Sequence, residues 1–211
     1  MEDVLAVYRR PLNPRQPVVC FDESGKELRA EVRPAIPPRR GRPGKIDDGI
    51  LHRGSASLLL TVAPFLGWRQ VMVTHRRTHR EWALAMRDLV DRHFPEAERI
   101  IVVLDNLNTH VPSSLYHLFP APEAFRIAQK LEFHYTPVHG SWLNLAEIEF
   151  SLLHRQCLRG RRFPTQAALT AEVRAWVAAE NAARRTIRWR FTPEEARHAM
   201  PTTYPEVSSR L

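Results

Sequence analysis

The run Ile100-Ile101-Val102-Val103-Leu104 constrains this 211-residue chain more than any other segment. Its consecutive apolar residues are mostly β-branched, which suits a strand buried on both faces, as in a parallel sheet with helices on either side. The run stops abruptly at Asp105-Asn106, so a polar pair sits where the strand must end.

The surrounding segments fit that sheet. Residues 17–21 read as a buried strand ending at Asp22. Asp22-Glu23-Ser24-Gly25 carries Asp and Gly at the outer positions of a common turn, which predicts a hairpin into residues 26–32. Residues 34–45 are proline-rich and basic and are expected to hold no regular structure. Residues 57–63 and 70–74 read as further strands. Trp82, Ala85, Met86, Leu89 and Val90 recur at helical spacing over 80–94, and Pro95 closes that element. A short helix is expected at 123–130, a strand at 131–135 and a helix at 142–157. Leu169, Val173, Trp176 and Val177 mark another helix, and residues 186–191 look strand-like. Thr192-Pro193-Glu194-Glu195 combines a cap, a first-turn proline and a capping-box glutamate. The order predicts an α/β fold, a mixed sheet flanked by helices. Residues 1–16 read as a lead-in, 17–200 as the main domain and 201–211 as a tail.

Composition narrows the partners. Lys and Arg number 31 against 23 Asp and Glu, a net charge of +8. That excess suits a polyanion such as double-stranded DNA, although a solvated basic surface has the same composition. Most of the cations are arginine, whose planar fork matches phosphate. The basic loop with Arg39, Arg40, Arg42 and Lys45 is a candidate DNA contact. The longest apolar run, residues 58–66, is too short to span a membrane, and no signal peptide is visible, so a cytoplasmic place is expected. Cys20 and Cys157 are far apart and in no C-x-x-C pairing, which argues against a disulfide scaffold and a structural zinc site.

Three carboxylates fall at informative places. Asp22 ends the first strand, Asp105 ends the central one, and Glu147 lies early in a helix. Carboxylates at neighbouring strand ends can converge outside the sheet edge. Such oxygens suit Mg²⁺ or Mn²⁺, and two ions about 3.5–4 Å apart can assist phosphodiester displacement. Each residue also has a plainer reading. Asp22 can open a turn, Asp105 can cap the segment after it, and Asn144-x-x-Glu147 is close to a capping box.

The wording around them resembles a known family. Leu104-Asp105-Asn106-Leu107-Asn108-Thr109-His110 and the block from Tyr135 to Glu147, including His139-Gly140-Ser141-Trp142-Leu143-Asn144, are similar to two signature blocks of the mariner-like bacterial insertion-sequence transposases, a group of DDE superfamily endonucleases. Val18-Val19-Cys20-Phe21-Asp22-Glu23 resembles the family's first-aspartate strand. The resemblance runs from about residue 17 to residue 199, and 41 residues intervene between Asp105 and Glu147.

It implies an RNase H-like fold and a catalytic, metal-binding triad of Asp22, Asp105 and Glu147. It also implies two Mg²⁺ or Mn²⁺ ions, cleavage of double-stranded DNA at transposon ends, and joining of the freed 3′-hydroxyl to target DNA by a dimer. Glu147 rather than Glu149 is taken as the third member because it follows Asn144 by three positions. Asn106, His110 and His139 lie beside the triad and are candidates for contacting DNA or for structural hydrogen bonds. Trp142 is expected in the core. Family members carry N-terminal helix-turn-helix modules, and none is expected in residues 1–16, so the chain is expected to be the second half of a split gene, a truncated copy, or a domain that borrows DNA recognition from a separately encoded helix-turn-helix subunit. The alternatives are an RNase H-like nuclease without strand transfer and an inactive DNA-binding remnant.

Overall fold

In a computed structural model that describes residues 1–33, 36–45 and 49–199, five strands form one mixed sheet. The elements run α1 (Glu2–Tyr8), β1 (Val18–Glu31), β2 (Ile50–Ala63), β3 (Trp68–Thr74), α2 (His79–Asp88), β4 (Ile100–Leu104), α3 (Ser113–Tyr116), α4 (Ala121–Gln129), β5 (Leu131–Tyr135), α5 (Ala146–Leu153), α6 (Gln166–Ala183) and α7 (Pro193–Ala199). The strand order is β3-β2-β1-β4-β5. β1, β2 and β3 pair antiparallel, whereas β4 lies parallel to both β1 and β5.

All of β4 is buried. Ile101 and Val103 face one core with Val4 and Leu5 of α1, Leu153 of α5, Leu169 and Val173 of α6, and Ala196 of α7. Ile100, Val102 and Leu104 face a second core with Trp82 and Met86 of α2, Leu115 of α3 and Ile127 of α4. Each such side chain withdrawn from water stabilises the fold by about 1.5–3 kcal/mol, and two covered faces explain why β4 shows no alternation.

Several local expectations hold in detail. Thr78 and Glu81 close a capping box at the start of α2. At α7 the Thr192 amide donates to Glu195 (2.8 Å), and the Glu195 amide donates to Thr192 Oγ1 (3.1 Å). Cys20 and Cys157 are buried free thiols.

Three expectations are corrected. The first strand does not end at Asp22 and no turn forms at residues 22–25, because β1 runs straight through them, with Asp22 opposite Leu60 and Lys26 opposite Ala56 on β2. A continuous ladder offers more backbone hydrogen bonds than one four-residue turn, so tertiary pairing overrides the local signal. Residues 186–191 join no strand. Ile187, Trp189 and Phe191 still alternate inward, packing on the core while Arg188 and Arg190 stay exposed. The basic loop is not formless either. Arg39 and Arg42 exchange backbone hydrogen bonds, as do Ile36 and Lys45, and Gly41 takes the left-handed φ of 76° that such a turn needs.

The helices expected at 80–94 and 142–157 are both segmented. α2 ends in a π turn, Leu89–His93. A 3-10 turn, Ser141–Leu143, precedes α5, and a π turn, His154–Leu158, comes after it. Within residues 1–16, α1 buries Val4, Leu5, Val7 and Tyr8. The tail expected at 201–211 lies outside the described residues. Among the described residues no helix is long and apolar enough to cross a membrane.

Candidate active site

Strand register sets the first two carboxylates. Val18, Val19 and Cys20 of β1 stand opposite Ile101, Val102 and Val103 of β4. Continuing that parallel register by two residues sets Asp22 level with Asp105, on the sheet face shared by Cys20 and Val103. The Asp22 carboxylate accepts from the Glu23 amide at 2.8 Å. Burial, reinforced by the charges of Glu147, Asp105 and Glu23, pushes Asp22 up to about 7. Its surroundings are therefore short of positive charge.

Asp105 is held from the other side. Its Oδ1 lies 2.5 Å from His110 Nδ1, and His110 Nε2 lies 3.2 Å from Glu23 Oε2. The imidazole packs edge-on to Phe21 and parallel to Trp82. Burial alone would lower its pKa, but the hydrogen bonds and charges of Asp105 and Glu23 raise it to about 9. Tyr135 donates to the His110 carbonyl at 3.0 Å, tying this loop to β5.

The third carboxylate is positioned by Asn144. This buried side chain donates to the Phe21 carbonyl at 2.8 Å and accepts from the Ala146 amide at 3.2 Å. It thus clasps the start of α5 to β1 next to Asp22. Tyr8 of α1 adds a second clasp, donating to the Leu143 carbonyl at 2.7 Å. Asn144 does not act as a capping-box residue, since Glu147 returns no side-chain bond and only its amide donates to the Asn144 carbonyl. Glu147 is exposed.

Glu149 points elsewhere. It is buried against Arg69 of β3, with Nε 2.9 Å from Oε2, close but off-line as a hydrogen bond. Arg69 Nη2 donates to Glu149 Oε1 at 3.3 Å and to the Arg185 carbonyl at 2.8 Å. Glu147 lines an open groove of about 580 Å³ with Ser24, Lys26, Ser151, His154 and Arg155 among its walls. None of these wall residues stood out in the sequence. Their signal was present in Lys26 lying four residues after Asp22 on one strand face, and in His154 lying seven after Glu147 on one helix side.

The other candidates are dispersed. His110, a candidate DNA contact, is fully buried and cannot meet DNA, because Asp105 and Glu23 use both ring nitrogens. Asn106 and His139 are exposed, and His139 adopts a left-handed φ of 61° before Gly140. Trp142 is not a core anchor, being 42% exposed with its ring edge-on to Phe191. Arg39, Arg40, Arg42 and Lys45 are exposed on their small hairpin beyond the far end of β1. Glu31 lies nine residues past Asp22, roughly 30 Å along the strand.

The donor set is hard oxygen, as Mg²⁺ and Mn²⁺ prefer. Asp105 keeps Oδ2 free of the imidazole, Glu147 is exposed, and Asp22 has no countercharge among the described residues. Among the described residues no three acidic, His or Cys side chains already stand close enough to hold an ion. A divalent cation would offset the like charges that Glu147 and Asp105 present to Asp22. The residues fit such an ion in donor chemistry, and the three carboxylates would have to draw together to hold it.

A family model described as DDE superfamily endonuclease matches residues 17–170. The Mos1 mariner paired-end complex with Mn superposes with a TM-score of 0.55 at 15% identity, covering 83% of this chain and 52% of that one. For the Mos1 strand transfer complex the values are 0.55, 14%, 83% and 51%. The catalytic domain of Mos1 mariner transposase gives 0.53 and 13%, covering 83% of this chain and 76% of that one. The chain spans about half the length of the Mos1 chains in the two complexes. No curated protein matches it at a significant level. At such identities the likeness to Mos1 is one of fold, and that fold is RNase H-like. Because the family match extends over most of the chain and takes in Asp22, Asp105 and the block ending at Glu147, the protein belongs to the DDE superfamily endonucleases.

Proposed function

We propose that this chain is the catalytic domain of a transposase, cutting double-stranded DNA at element ends and joining the freed end to target DNA. The observation that carries this reading is the juxtaposition of Asp22, within β1, and Asp105, just past the end of the neighbouring parallel strand β4, with α5 clasped beside β1 through Asn144. Asp22, Asp105 and Glu147 are the residues that would hold divalent cations. Mg²⁺ or Mn²⁺ bound there supplies charge neutralisation for in-line attack at phosphorus.

The chain's own residues do the positioning. His110 engages one oxygen of Asp105, Oδ1, and leaves Oδ2 free of the imidazole. Asn144 fixes where α5 begins and hence where Glu147 stands relative to β1. In cleavage, a water oxygen bonds to phosphorus and the bond to the leaving 3′-oxygen breaks, which frees a 3′-hydroxyl. In joining, that hydroxyl attacks a target phosphodiester, and the target's own 3′-oxygen leaves. Both steps need the same carboxylates, since each displaces one oxygen by another at phosphorus.

The test is cleavage of a labelled duplex in Mn²⁺, Mg²⁺, Ca²⁺ and EDTA, with joining of a pre-cut 3′-hydroxyl end to plasmid as the second assay. Cleavage and joining with Mg²⁺ or Mn²⁺ alone are expected, because Ca²⁺ accepts looser coordination that misplaces the attacking oxygen. Undiminished cleavage in EDTA would overturn the reading. Cleavage without joining would reduce it to a nuclease.

A further inference from the structure

We propose that the groove opening from Glu147 between β1 and α5 is a phosphate track for the nucleic-acid strand flanking the reacting phosphodiester. This rests on the nuclease reading of the carboxylates but assigns a separate surface. Its walls are two rows that start at the candidate triad. Ser24 and Lys26 come after Asp22 at the two-residue spacing of one strand face. Ser151 and His154 come after Glu147 at the four- and seven-residue spacing of one helix side.

Both rows travel a similar distance. Lys26 lies roughly 13 Å along β1 from Asp22. His154 lies roughly 10 Å along the helix from Glu147. A B-form strand carries one charge per about 3.4 Å of axis, so the basic end sits about three to four phosphates from the reacting one.

The basic side chains of this groove are not taken up by ion pairs within the chain. Many arginines of the chain are bound to carboxylates, as Arg10 is to Glu132, Arg126 to Asp91 and Arg161 to Glu172. Lys26, His154 and Arg155 have no carboxylate partner among the described residues, and the Lys26 ammonium only lies over the Phe163 ring at 5.8 Å. The remaining acid of the basic end, Glu27, is already engaged by Arg29 and His52. Uncommitted positive charge on Lys26 and Arg155 therefore faces the groove beyond Glu147, where a polyanion would neutralise it and release counterions.

The backbone is specialised at the same place. α5 passes at His154 into a π turn, closed by the Arg159 amide on the His154 carbonyl at 2.7 Å. Such turns are rare and recur at functional sites, since one extra residue per turn re-aims the side chains beyond it. Here it comes where His154 and Arg155 meet the groove.

The experiment is fluorescence anisotropy of a labelled duplex in EDTA, titrated across NaCl concentrations with the full chain. The Lys26→Ala, Arg155→Ala double variant should bind more weakly for every sequence. Its slope of log affinity against log salt should be less steep by about two, one phosphate contact per lost cation. Arg155→Glu alone, at an exposed position, should weaken binding further, with an unchanged circular dichroism melt as the folding control. A slope identical to wild type in both variants overturns the track. Because no metal is present, the outcomes separate: wild type that cuts DNA while the slopes stay unchanged removes the track alone. Reduced slopes with wild type that cuts nothing retain the track and remove the nuclease reading.

Discussion

Arg69 Nε stands 2.9 Å from Glu149 Oε2, and both side chains are 1% exposed. That pair separates two glutamates only two positions apart, whose side chains diverge by about 200° around α5. Glu149 neutralises a buried guanidinium, whereas Glu147 looks into the groove. Glu147→Gln should abolish metal-dependent cleavage and leave the melting temperature unchanged. Glu149→Gln strands the Arg69 charge and should cost about 3–5 kcal/mol, with cleavage per folded molecule retained. Duplex cleavage in Mn²⁺ combined with urea denaturation checks both. A Glu149→Gln protein as stable as wild type would contradict the assignment.

His110 acts on Asp105 without being able to reach substrate. His110→Ala should weaken Mn²⁺ binding about 10–100-fold by freeing the Asp105 carboxylate to rotate. His110→Gln, which keeps one donor, should recover part of that loss. Isothermal titration with Mn²⁺ is the measurement, and an Ala variant that is folded and binds as tightly as wild type rules out the positioning role.

Asp22 makes stability depend on pH. Its folded pKa of about 7 lies above its ordinary 3.8, so the folded state holds the proton more tightly. The corresponding stability is complete below pH about 4 and is lost as pH rises through 7. Metal-free wild type should therefore weaken across that window. Asp22→Asn should match it below pH about 4 and exceed it by roughly 1–2 kcal/mol above pH 7, discounted for partial solvent access. Parallel or inverted pH profiles would refute this.

Two glycines should respond oppositely. Gly67 has a φ of 67°, and a Cβ there would stand 2.5 Å from the Arg184 carbonyl oxygen. Gly67→Ala should cost more than about 2 kcal/mol, through both left-handed strain and a backbone clash. Gly25 lies in β1 with nothing within 4 Å of an added Cβ, so Gly25→Ala should be neutral or slightly stabilising. Denaturant midpoints decide, and equal effects at the two positions would show that local geometry is not the cause.

Much of this molecule is legible in one dimension. A run such as Ile100–Leu104 can satisfy its side chains only when covered on both faces, so burial and a central place in a layered sheet are set by composition alone. The cap at Thr192 is equally local, because donor, acceptor and spacing lie within four residues. The Asp105 and Glu147 blocks carried the family likeness for the same reason, as contiguous residues. Every choice made between distant segments needed the tertiary structure. The turn written at Asp22–Gly25 lost to pairing with β2, whose carbonyls and amides are more than thirty residues away. Sequence left His110 open between a DNA contact and a structural hydrogen bond, and Glu23 and Asp105 closing on its two nitrogens decide for the second. Glu147 and Glu149 were indistinguishable by periodicity, since only the arrival of Arg69 from β3 makes one of them a buried counterion. Hydrogen bonds and ion pairs act over a few ångströms of space, and sequence separation says little about which groups come within that range.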